Sequence, residues 1–327
     1  MDKRFRIFTL SLNTSLDRTF CLDRIVFGDI NRIKSSRLDA GGKGLNVARM
    51  LHRLGQPVCS VVCLGGDNGK KVKQLIQKEG LSYLVVETSG ETRNIFNLIE
   101  TSTGRILRVN EPGPEFSREE KLSLFRYLTT LPLSHNTIVV LSGSFPPGLP
   151  VSTYRTIINL LKKYTPWITL DADGAALQEG VRARPWLIKP NLWELQRLCS
   201  QKIRSFAKLK TVCRLLLHRK RTKLILLTLG SQGALAVSEE EIYWAKPPAL
   251  CPVSEVGCGD AFLAGFLYGW VSGWSVQESL IMAVGCGSAK VTCPGTSMPS
   301  KQEVFQMRKK VKLLPPEKLS FSQKAAG

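Results

Sequence analysis

The feature that most constrains the fold is a regular alternation of short apolar segments with amphipathic ones. Apolar runs at 6–12, 58–64, 137–141, 167–170 and 224–227 have the length of buried strands, and helical patterns stand between most of them. Short buried strands that alternate with helices are typical of a sheet whose strands run mostly parallel. We therefore predict an α/β fold with a mostly parallel central sheet.

Bulk properties fit a cytoplasmic protein with a large core. The chain has 327 residues, of which 43% are hydrophobic, and it contains no apolar run close to the length of about 20 residues that spans a bilayer. Its first residues lead into a strand pattern rather than a signal-peptide core. Nine cysteines are scattered singly with no C-x-x-C pair, which indicates reduced thiols rather than disulfides or a zinc site. We expect neither a membrane partner nor secretion.

The net charge of +20 has two interpretations. It can mark a nucleic-acid partner, or it can favour capture of a small polyanion such as a sugar phosphate or ATP. Much of the excess lies in 202–223 and 308–324, and neither segment carries a recognisable RNA- or DNA-binding motif. We interpret both as solvated basic surface and expect no nucleic-acid partner.

Polar and glycine-rich loops follow the first strands, where an open α/β sheet places its ligands. Asp17 follows the first strand, although a surface-turn aspartate is the alternative. The cluster Gly41-Gly42-Lys43-Gly44-x-Asn46 runs into a helix, so its amides and the positive helix end suit an anion or a sugar hydroxyl. A generic glycine turn is the alternative. The cluster is not a Walker A loop, because glycine follows Lys43.

An arginine on a predicted hairpin is a candidate phosphate ligand. Alternating segments 92–101 and 105–110, joined by Ser-Thr-Gly, predict a hairpin that interrupts the series as a flap. Arg93 lies on its first strand and offers a planar fork of donors to a phosphate. The alternative is an exposed arginine paired with Glu91 or Glu111.

Asn191 and Glu194 stand three residues apart at a predicted helix start. Side-chain oxygens at this spacing can face one point and suit Mg²⁺ held mainly through waters. A helix-capping box, in which each side chain accepts from the other residue's amide, explains the same pair without a metal.

The turn Gly257-Cys258-Gly259-Asp260 opens an apolar helix and is the strongest candidate for chemistry. Its glycines allow inward-facing amides, and the helix adds partial positive charge at the same point. Asp260 could orient a substrate hydroxyl and accept its proton during phosphoryl transfer. A plain helix-capping aspartate is the alternative.

Six motifs in this order resemble the PfkB, or ribokinase-like, carbohydrate kinases, and most closely the 1-phosphofructokinase and tagatose-6-phosphate kinase branch. They are Gly41-Gly42-Lys43-Gly44-x-Asn46, Thr92-Arg93-Asn94, Ser142-Gly143-Ser144-x-Pro146-x-Gly148, Lys189-Pro190-Asn191-x-x-Glu194, Thr228-Leu229-Gly230 and Val256-Gly257-x-Gly259-Asp260. The resemblance implies one kinase domain over 1–312, a ribokinase-like three-layer sandwich with a small β lid. The lid would comprise 14–39 and 90–111 and form a homodimer interface. We predict that 313–327 is a mobile basic tail.

The resemblance also implies a role for each matching residue. The catalytic set would be the base Asp260 with an anion hole made by the amides of Gly257, Cys258 and Gly259. The sugar would be bound by Asp17, Gly42, Lys43 and Asn46, and its phosphate by Arg93, Ser144 and Arg32. ATP would be bound by Lys189, Asn191, Thr228, Gly230, Ser231, Gly233 and Ser288. Mg²⁺ would be held by Asn191 and Glu194, mainly through water.

The expected activity is ATP- and Mg²⁺-dependent phosphorylation of a ketohexose phosphate. Arg93 favours a sugar phosphate, because a neutral sugar would leave its guanidinium without a partner. Fructose 1-phosphate, giving fructose 1,6-bisphosphate, is the first choice, and tagatose 6-phosphate and fructose 6-phosphate remain open. Glu255 stands where the family usually has Thr and adds negative charge beside the ATP site. The intact catalytic set argues against a non-catalytic sugar-phosphate sensor or a nucleic-acid binder.

Overall fold

The computed structural model describes residues 5–219 and 221–320. In them the strands are β1 (Arg6–Ser11), β2 (Ser15–Leu22), β3 (Ser35–Gly41), β4 (Val58–Leu64), β5 (Ser82–Glu87), β6 (Arg93–Glu100), β7 (Ile106–Asn110), β8 (Thr137–Ser142), β9 (Trp167–Asp171), β10 (Leu187–Ile188), β11 (Leu224–Thr228), β12 (Ala234–Val237), β13 (Ile242–Lys246) and β14 (Lys312–Leu314). The helices are α1 (Lys43–Arg53), α2 (Gly66–Lys78), α3 (Arg118–Thr130), α4 (Thr153–Leu161), α5 (Gly174–Arg182), α6 (Leu192–Cys199), α7 (Phe206–His218), α8 (Cys258–Val271), α9 (Val276–Val291) and α10 (Lys301–Arg308). None of these helices is long and apolar enough to cross a membrane.

A ten-stranded sheet forms the centre of the molecule, in the order β14-β13-β12-β11-β10-β9-β8-β1-β4-β5. Every pairing from β5 to β11 is parallel, and β12, β13 and β14 extend that edge with antiparallel pairs. The prediction of a mostly parallel sheet is therefore confirmed. Strand order reverses at β1, which lies between β4 and β8, and open α/β sheets bind ligands at such a point.

Helices cover both faces of this sheet because its strand residues alternate between two cores. On β1, Phe8 points to the core formed with α3, α4, α5, α6 and α7, and Ile7 points to the core formed with α1, α8, α9 and α10. On β8, Val139 and Ile138 divide in the same way. The architecture is the ribokinase-like three-layer α/β sandwich that the resemblance implies.

A second sheet of four strands, in the order β3-β2-β6-β7, stands beside the carboxyl edge of the central sheet. We call it the small sheet. The predicted hairpin is confirmed, since β6 and β7 pair antiparallel. Its strands lie at 15–41 and 93–110, close to the segments predicted for the lid. Its inner end packs through Leu16 and Ala40 on residues of α1, α2 and β4.

The prediction of a mobile tail from residue 313 is wrong for the residues that the structure describes. Lys312–Leu314 form β14, which pairs antiparallel with β13, and Leu319 is buried in the core. A short strand gains order by adding to the free edge of an existing sheet. The three residues of β14 are too few to show this pairing as a sequence pattern. Residues 321–327 lie outside the described residues.

Candidate active site

A cleft of about 790 Å³ lies between the small sheet and the carboxyl edge of the central sheet. It forms there because β1, β8, β9, β10 and β11 run parallel and deliver their carboxyl ends to one edge. Thirteen of the residues predicted from the sequence line the cleft. They are Asp17, Gly42, Lys43, Asn46, Arg93, Ser144, Lys189, Asn191, Glu194, Thr228, Gly257, Gly259 and Asp260.

The start of α8 presents free backbone donors to the cleft. Gly257 precedes the helix in a left-handed conformation, with φ of 74°, which glycine adopts without strain. In the described chain the amides of Gly257, Gly259 and Asp260 donate to no protein acceptor. The amide of Cys258 donates to the carbonyl of Glu255 at 3.3 Å, so it is the least available of the three predicted for the anion hole. The helix end adds partial positive charge at the same point.

Asp260 lies at the bottom of the cleft with a fixed partner. Asn46 Nδ2 donates to Asp260 Oδ2 at 2.8 Å, and Arg49 Nη1 donates to Asn46 Oδ1 at 2.7 Å. Arg49 is in turn paired with Glu79 at 2.5 Å. This chain of contacts holds the Asn46 amide with its NH₂ group toward Asp260. Burial, followed by the nearby charge of Asp171, raises the pKa of Asp260 to about 6, so the carboxylate is the main form at neutral pH and can accept a proton.

Asp171, at the end of β9, organises the cations of the cleft, a role that its position in the sequence did not reveal. Its Oδ1 lies 3.2 Å from Lys189 Nζ and 4.0 Å from Lys43 Nζ, and Ser142 Oγ donates to its Oδ2 at 3.2 Å. The two ammonium groups hold the pKa of this fully buried carboxyl below its usual range despite burial, and Asp171 raises the pKa of Lys43. A Cβ on Gly259 would lie 3.4 Å from Lys189 Nζ. Lys189 therefore adds positive charge beside the free amides.

Asp17 is fixed from two sides. Ser15 Oγ donates to its Oδ1 at 2.6 Å, and a Cβ on Gly41 would lie only 2.1 Å from the same oxygen. Burial is the main cause that raises the pKa of Asp17, and Arg93 acts in the opposite direction. Gly41 is therefore required for Asp17 to reach the cleft, where its second oxygen can accept from a sugar hydroxyl.

Among the residues that the structure describes, no carboxylate forms an ion pair with Arg93 where it enters the cleft. Its Nε donates to the carbonyl of Asn13 at 3.2 Å and its Nη1 to the carbonyl of Glu111 at 3.1 Å. The Glu111 carboxylate accepts from the Asn94 amide at 2.6 Å, and the Glu91 carboxylate accepts from two amides at the start of α2. Neither of the ion pairs considered from the sequence is present. Burial lowers the pKa of Arg93, so an anionic ligand would stabilise its charge.

Asn191 and Glu194 form the capping box that was the metal-free alternative. Asn191 Oδ1 accepts from the Glu194 amide and Glu194 Oε2 accepts from the Asn191 amide, both at 2.8 Å. Glu194 still lines the cleft, and burial raises its pKa. In residues 5–219 and 221–320 no group of three acidic, His or Cys side chains could hold a metal directly. The donor set fits a hydrated Mg²⁺ that shares phosphate ligands, and it does not form a cage.

Four predicted ATP ligands do not line the cleft. Gly230 and Ser231 lie in the 3₁₀ turn that directly follows the cleft residue Thr228, and Ser288 is buried within α9. A Cβ on Gly233 would lie 2.0 Å from the carbonyl of Ala245 on β13, so the packing of that turn explains this glycine without a nucleotide.

Arg32 and Cys258 also do not line the cleft. Arg32 lies on the exposed segment between β2 and β3, and the prediction that it contacts the sugar phosphate has no support within one chain. Cys258 Sγ donates to the Ser254 carbonyl at 3.5 Å, so only its backbone belongs to the turn at the cleft.

The small sheet adds polar residues that sequence reasoning missed. Asn97 of β6 and Arg108 and Asn110 of β7 line the cleft. The register Asn97↔Arg108 and Ile95↔Asn110 places them on the face that carries Arg93. Period-two alternation from Arg93 through the predicted hairpin could have identified these positions. The cleft therefore has two arginines facing it from one sheet.

Comparisons with known proteins show which chains this one is similar to. A profile described as pfkB family carbohydrate kinase matches residues 12–303. The chain is 28% identical to the 1-phosphofructokinase of Vibrio cholerae over 94% of its own length and 96% of that protein. It is 31% identical to a tagatose-6-phosphate kinase of Staphylococcus epidermidis, over 86% and 90% of the two chains. The tetrameric inhibited form of phosphofructokinase-2 from Escherichia coli superposes with a TM-score of 0.87 at 26% identity, covering 93% and 98%.

Proposed function

The chain belongs to the pfkB family of carbohydrate kinases and is an ATP-dependent sugar kinase, and we propose that its acceptor is a ketohexose phosphate, with fructose 1-phosphate as the first candidate. The product would be fructose 1,6-bisphosphate. This choice is supported by a relative named 1-phosphofructokinase, whose similarity extends over most of the chain.

The observation that carries the proposal is the pair of arginines facing the cleft. Arg93 is half-buried, its described partners are backbone carbonyls, and Arg108 lies on the same face of the small sheet. Leaving the half-buried guanidinium of Arg93 without an anion is unfavourable, whereas a phosphate would pair with it, and with the exposed Arg108, through charge-assisted hydrogen bonds. A neutral sugar would leave Arg93 with only the nearby charges of Asp17 and Glu111 to offset its burial.

The geometry supports direct transfer of a phosphoryl group between two bound substrates. The sugar hydroxyl would lie between Asp17 and Asp260, and Asp260 would take its proton as the new bond to phosphorus forms. The amides of Gly257, Gly259 and Asp260 face the negative charge that develops, and Lys189 lies beside them. The bond from phosphorus to the ADP oxygen breaks, and ADP leaves with its charge.

We propose that Glu194, oriented by Asn191, holds a hydrated Mg²⁺ beside the ATP phosphates. When bound, the ion would neutralise phosphate charge. The role of the protein is to present one carboxylate oxygen there, because the other oxygen is fixed by the capping box.

A substrate panel tests the acceptor. With ATP and Mg²⁺ supplied, we expect kcat/KM for ADP release to be highest with fructose 1-phosphate, lower with tagatose 6-phosphate and fructose 6-phosphate, and lowest with free fructose. Free fructose or a nucleoside as the best acceptor would contradict the sugar-phosphate assignment. If a 6-phosphate is the best acceptor, the assignment to ketohexose phosphates stands and fructose 1-phosphate is replaced as the substrate. Tagatose 6-phosphate is a specific alternative, because a tagatose-6-phosphate kinase is among the relatives.

We also propose a homodimer through the outer face of the small sheet and the segment between β2 and β3. Phe27 and Ile30 on that segment are 88% and 77% exposed, and Val109 on the outer face of β7 is 50% exposed. Apolar exposure on this scale marks an interaction surface. Light scattering should show a dimer or a larger even assembly, and Phe27→Lys with Val109→Lys should release monomers. Leu122→Lys on α3 is the control, and a monomeric unaltered protein would exclude the interface.

All nine cysteines are free in the structure, and three of them are buried in the cores. Free thiols persist where the environment is reducing. We propose a cytoplasmic location, and recovery of the protein outside the cytoplasmic fraction would contradict it.

A further inference from the structure

Lys290, in the last turn of α9, has a side chain with no exposed surface. Its Nζ donates to the carbonyl of Gly295 at 2.8 Å. Across residues 5–219 and 221–320, no carboxylate oxygen lies within 4.0 Å of this ammonium group. Burying a cation without an ion pair costs folding free energy. A buried charge also does not contribute to surface solubility, so a role inside the protein is the better explanation for this lysine.

The side chain runs directly behind the glycine turn of the active site. A Cβ on Gly257 would lie 3.6 Å from Lys290 Cε. The segment that leads into the turn is tied to the end of α9, since the amides of Val253 and Ser254 both donate to the carbonyl of Val291, at 2.8 and 3.1 Å. The lysine therefore connects three pieces of backbone: the end of α9, the turn at 257 and the loop at 295.

Groups of the turn are among those that act on the charge of Lys290. Burial lowers the pKa of Lys290 and Arg37 acts in the same direction, whereas Cys258, Cys293 and Asp260 raise it. Gly257 lines the cleft and Lys290 does not, so the ammonium group lies on the side of the turn away from the substrate. A fixed charge in a dry region acts strongly on charge that develops nearby.

We propose that Lys290 is a positioning residue for phosphoryl transfer. Its buried ammonium group acts as a built-in monovalent cation that fixes the 257–259 turn and adds positive charge on the side of the turn away from the substrate. The inference rests on the kinase function proposed above. A tethered cation needs no added salt. A small free cation should substitute for it only when its side chain has been removed and a space is left.

Two replacements separate charge from volume. Lys290→Met keeps the volume and removes the charge, and Lys290→Ala removes both. We expect both to lower kcat about 10- to 100-fold, less than or comparable to the loss of a direct oxyanion donor, with KM values close to those of the unaltered protein. Ammonium, methylammonium or potassium chloride should restore part of kcat in Lys290→Ala but not in Lys290→Met. Tetramethylammonium chloride at equal ionic strength should restore neither.

Lys162→Met is the matched control, because Lys162 Nζ also donates to a backbone carbonyl, that of Ala183, away from the cleft. Its kcat should be unchanged. Full turnover of Lys290→Met, loss in Lys290→Ala that no small cation restores, or a requirement of the unaltered protein for potassium or ammonium would overturn the inference. An unaltered protein without kinase activity would instead overturn the proposed function.

Discussion

Asp260→Asn is expected to lower kcat about 10²- to 10⁴-fold while sugar-phosphate binding stays close to that of the unaltered protein, the range for loss of a general base. Asparagine keeps the shape and can still contact Asn46, but it cannot take the hydroxyl proton. Single-turnover measurements of ADP formation, together with calorimetric binding of the sugar phosphate, separate the two effects.

Asp67→Asn is a close control for the helix-cap interpretation. Asp67 also follows two glycines and lies in the first turn of a helix, α2, but it is exposed and paired with Lys70 outside the cleft. A capping role alone would give both variants the same small loss of stability and no loss of turnover. Near-normal turnover of Asp260→Asn would remove Asp260 from the role of base.

The pH profile gives a second signature of the same group. Asp260 has a raised pKa of about 6 and acts in its ionised form, so kcat/KM should be constant above that pH and fall tenfold per pH unit below it. Lys43 lowers the pKa of Asp260, so Lys43→Met should move the acid limb to higher pH. Lys70→Met on the surface should not move it. An acid limb that stays unchanged in Lys43→Met would show that another group titrates.

Much of the site follows from where strands end in the sequence. Asp17, Lys189 and Thr228 each follow an apolar run by a few residues, and parallel strands bring their carboxyl ends to one edge. The capping box of Asn191 and Glu194 was likewise visible as a local pattern, because its contacts span three residues. Local spacing is sufficient where the contact is local.

Other parts depend on contacts that no local pattern contains. Asn46 meets Asp260 across 214 residues because α1 packs beside α8, and the cation partners of Asp171 depend on β9 lying next to β10. Buried side-chain contacts of this kind depend on how distant elements pack together, and the spacing of residues in the sequence does not contain that information.

The charge of Lys290 was read from the sequence only as part of a net +20. Its neighbours in α9 are apolar or small. That pattern indicates a helix packed against the core, but it does not show how deeply the lysine side chain is buried. Long side chains usually extend their charge to water, so a fully buried lysine is the exception that sequence reasoning cannot assign.

Arg93→Gln should lower kcat/KM for fructose 1-phosphate about a hundredfold, since hydrogen bonds to charged groups contribute about 1.5–3 kcal/mol each. The value for free fructose should change little, because that sugar has no phosphate to lose as a partner. The ratio of the two values, measured in a coupled assay, is the readout. Arg105→Gln, on the same hairpin but outside the cleft, should leave the ratio unaltered.

The structural alternative for Arg93 is specific, because its guanidinium also ties the carbonyls of Asn13 and Glu111. If that were its main role, Arg93→Gln would lower the values for both acceptors equally and would lower the melting temperature. Arg93→Lys then separates charge from geometry: an ammonium group retains attraction to phosphate but cannot reach both carbonyls and the ligand in one plane. We expect Arg93→Lys to recover part of the ratio while its melting temperature stays lowered. That result would show that the charge selects the substrate and that the planar guanidinium holds the two backbone segments.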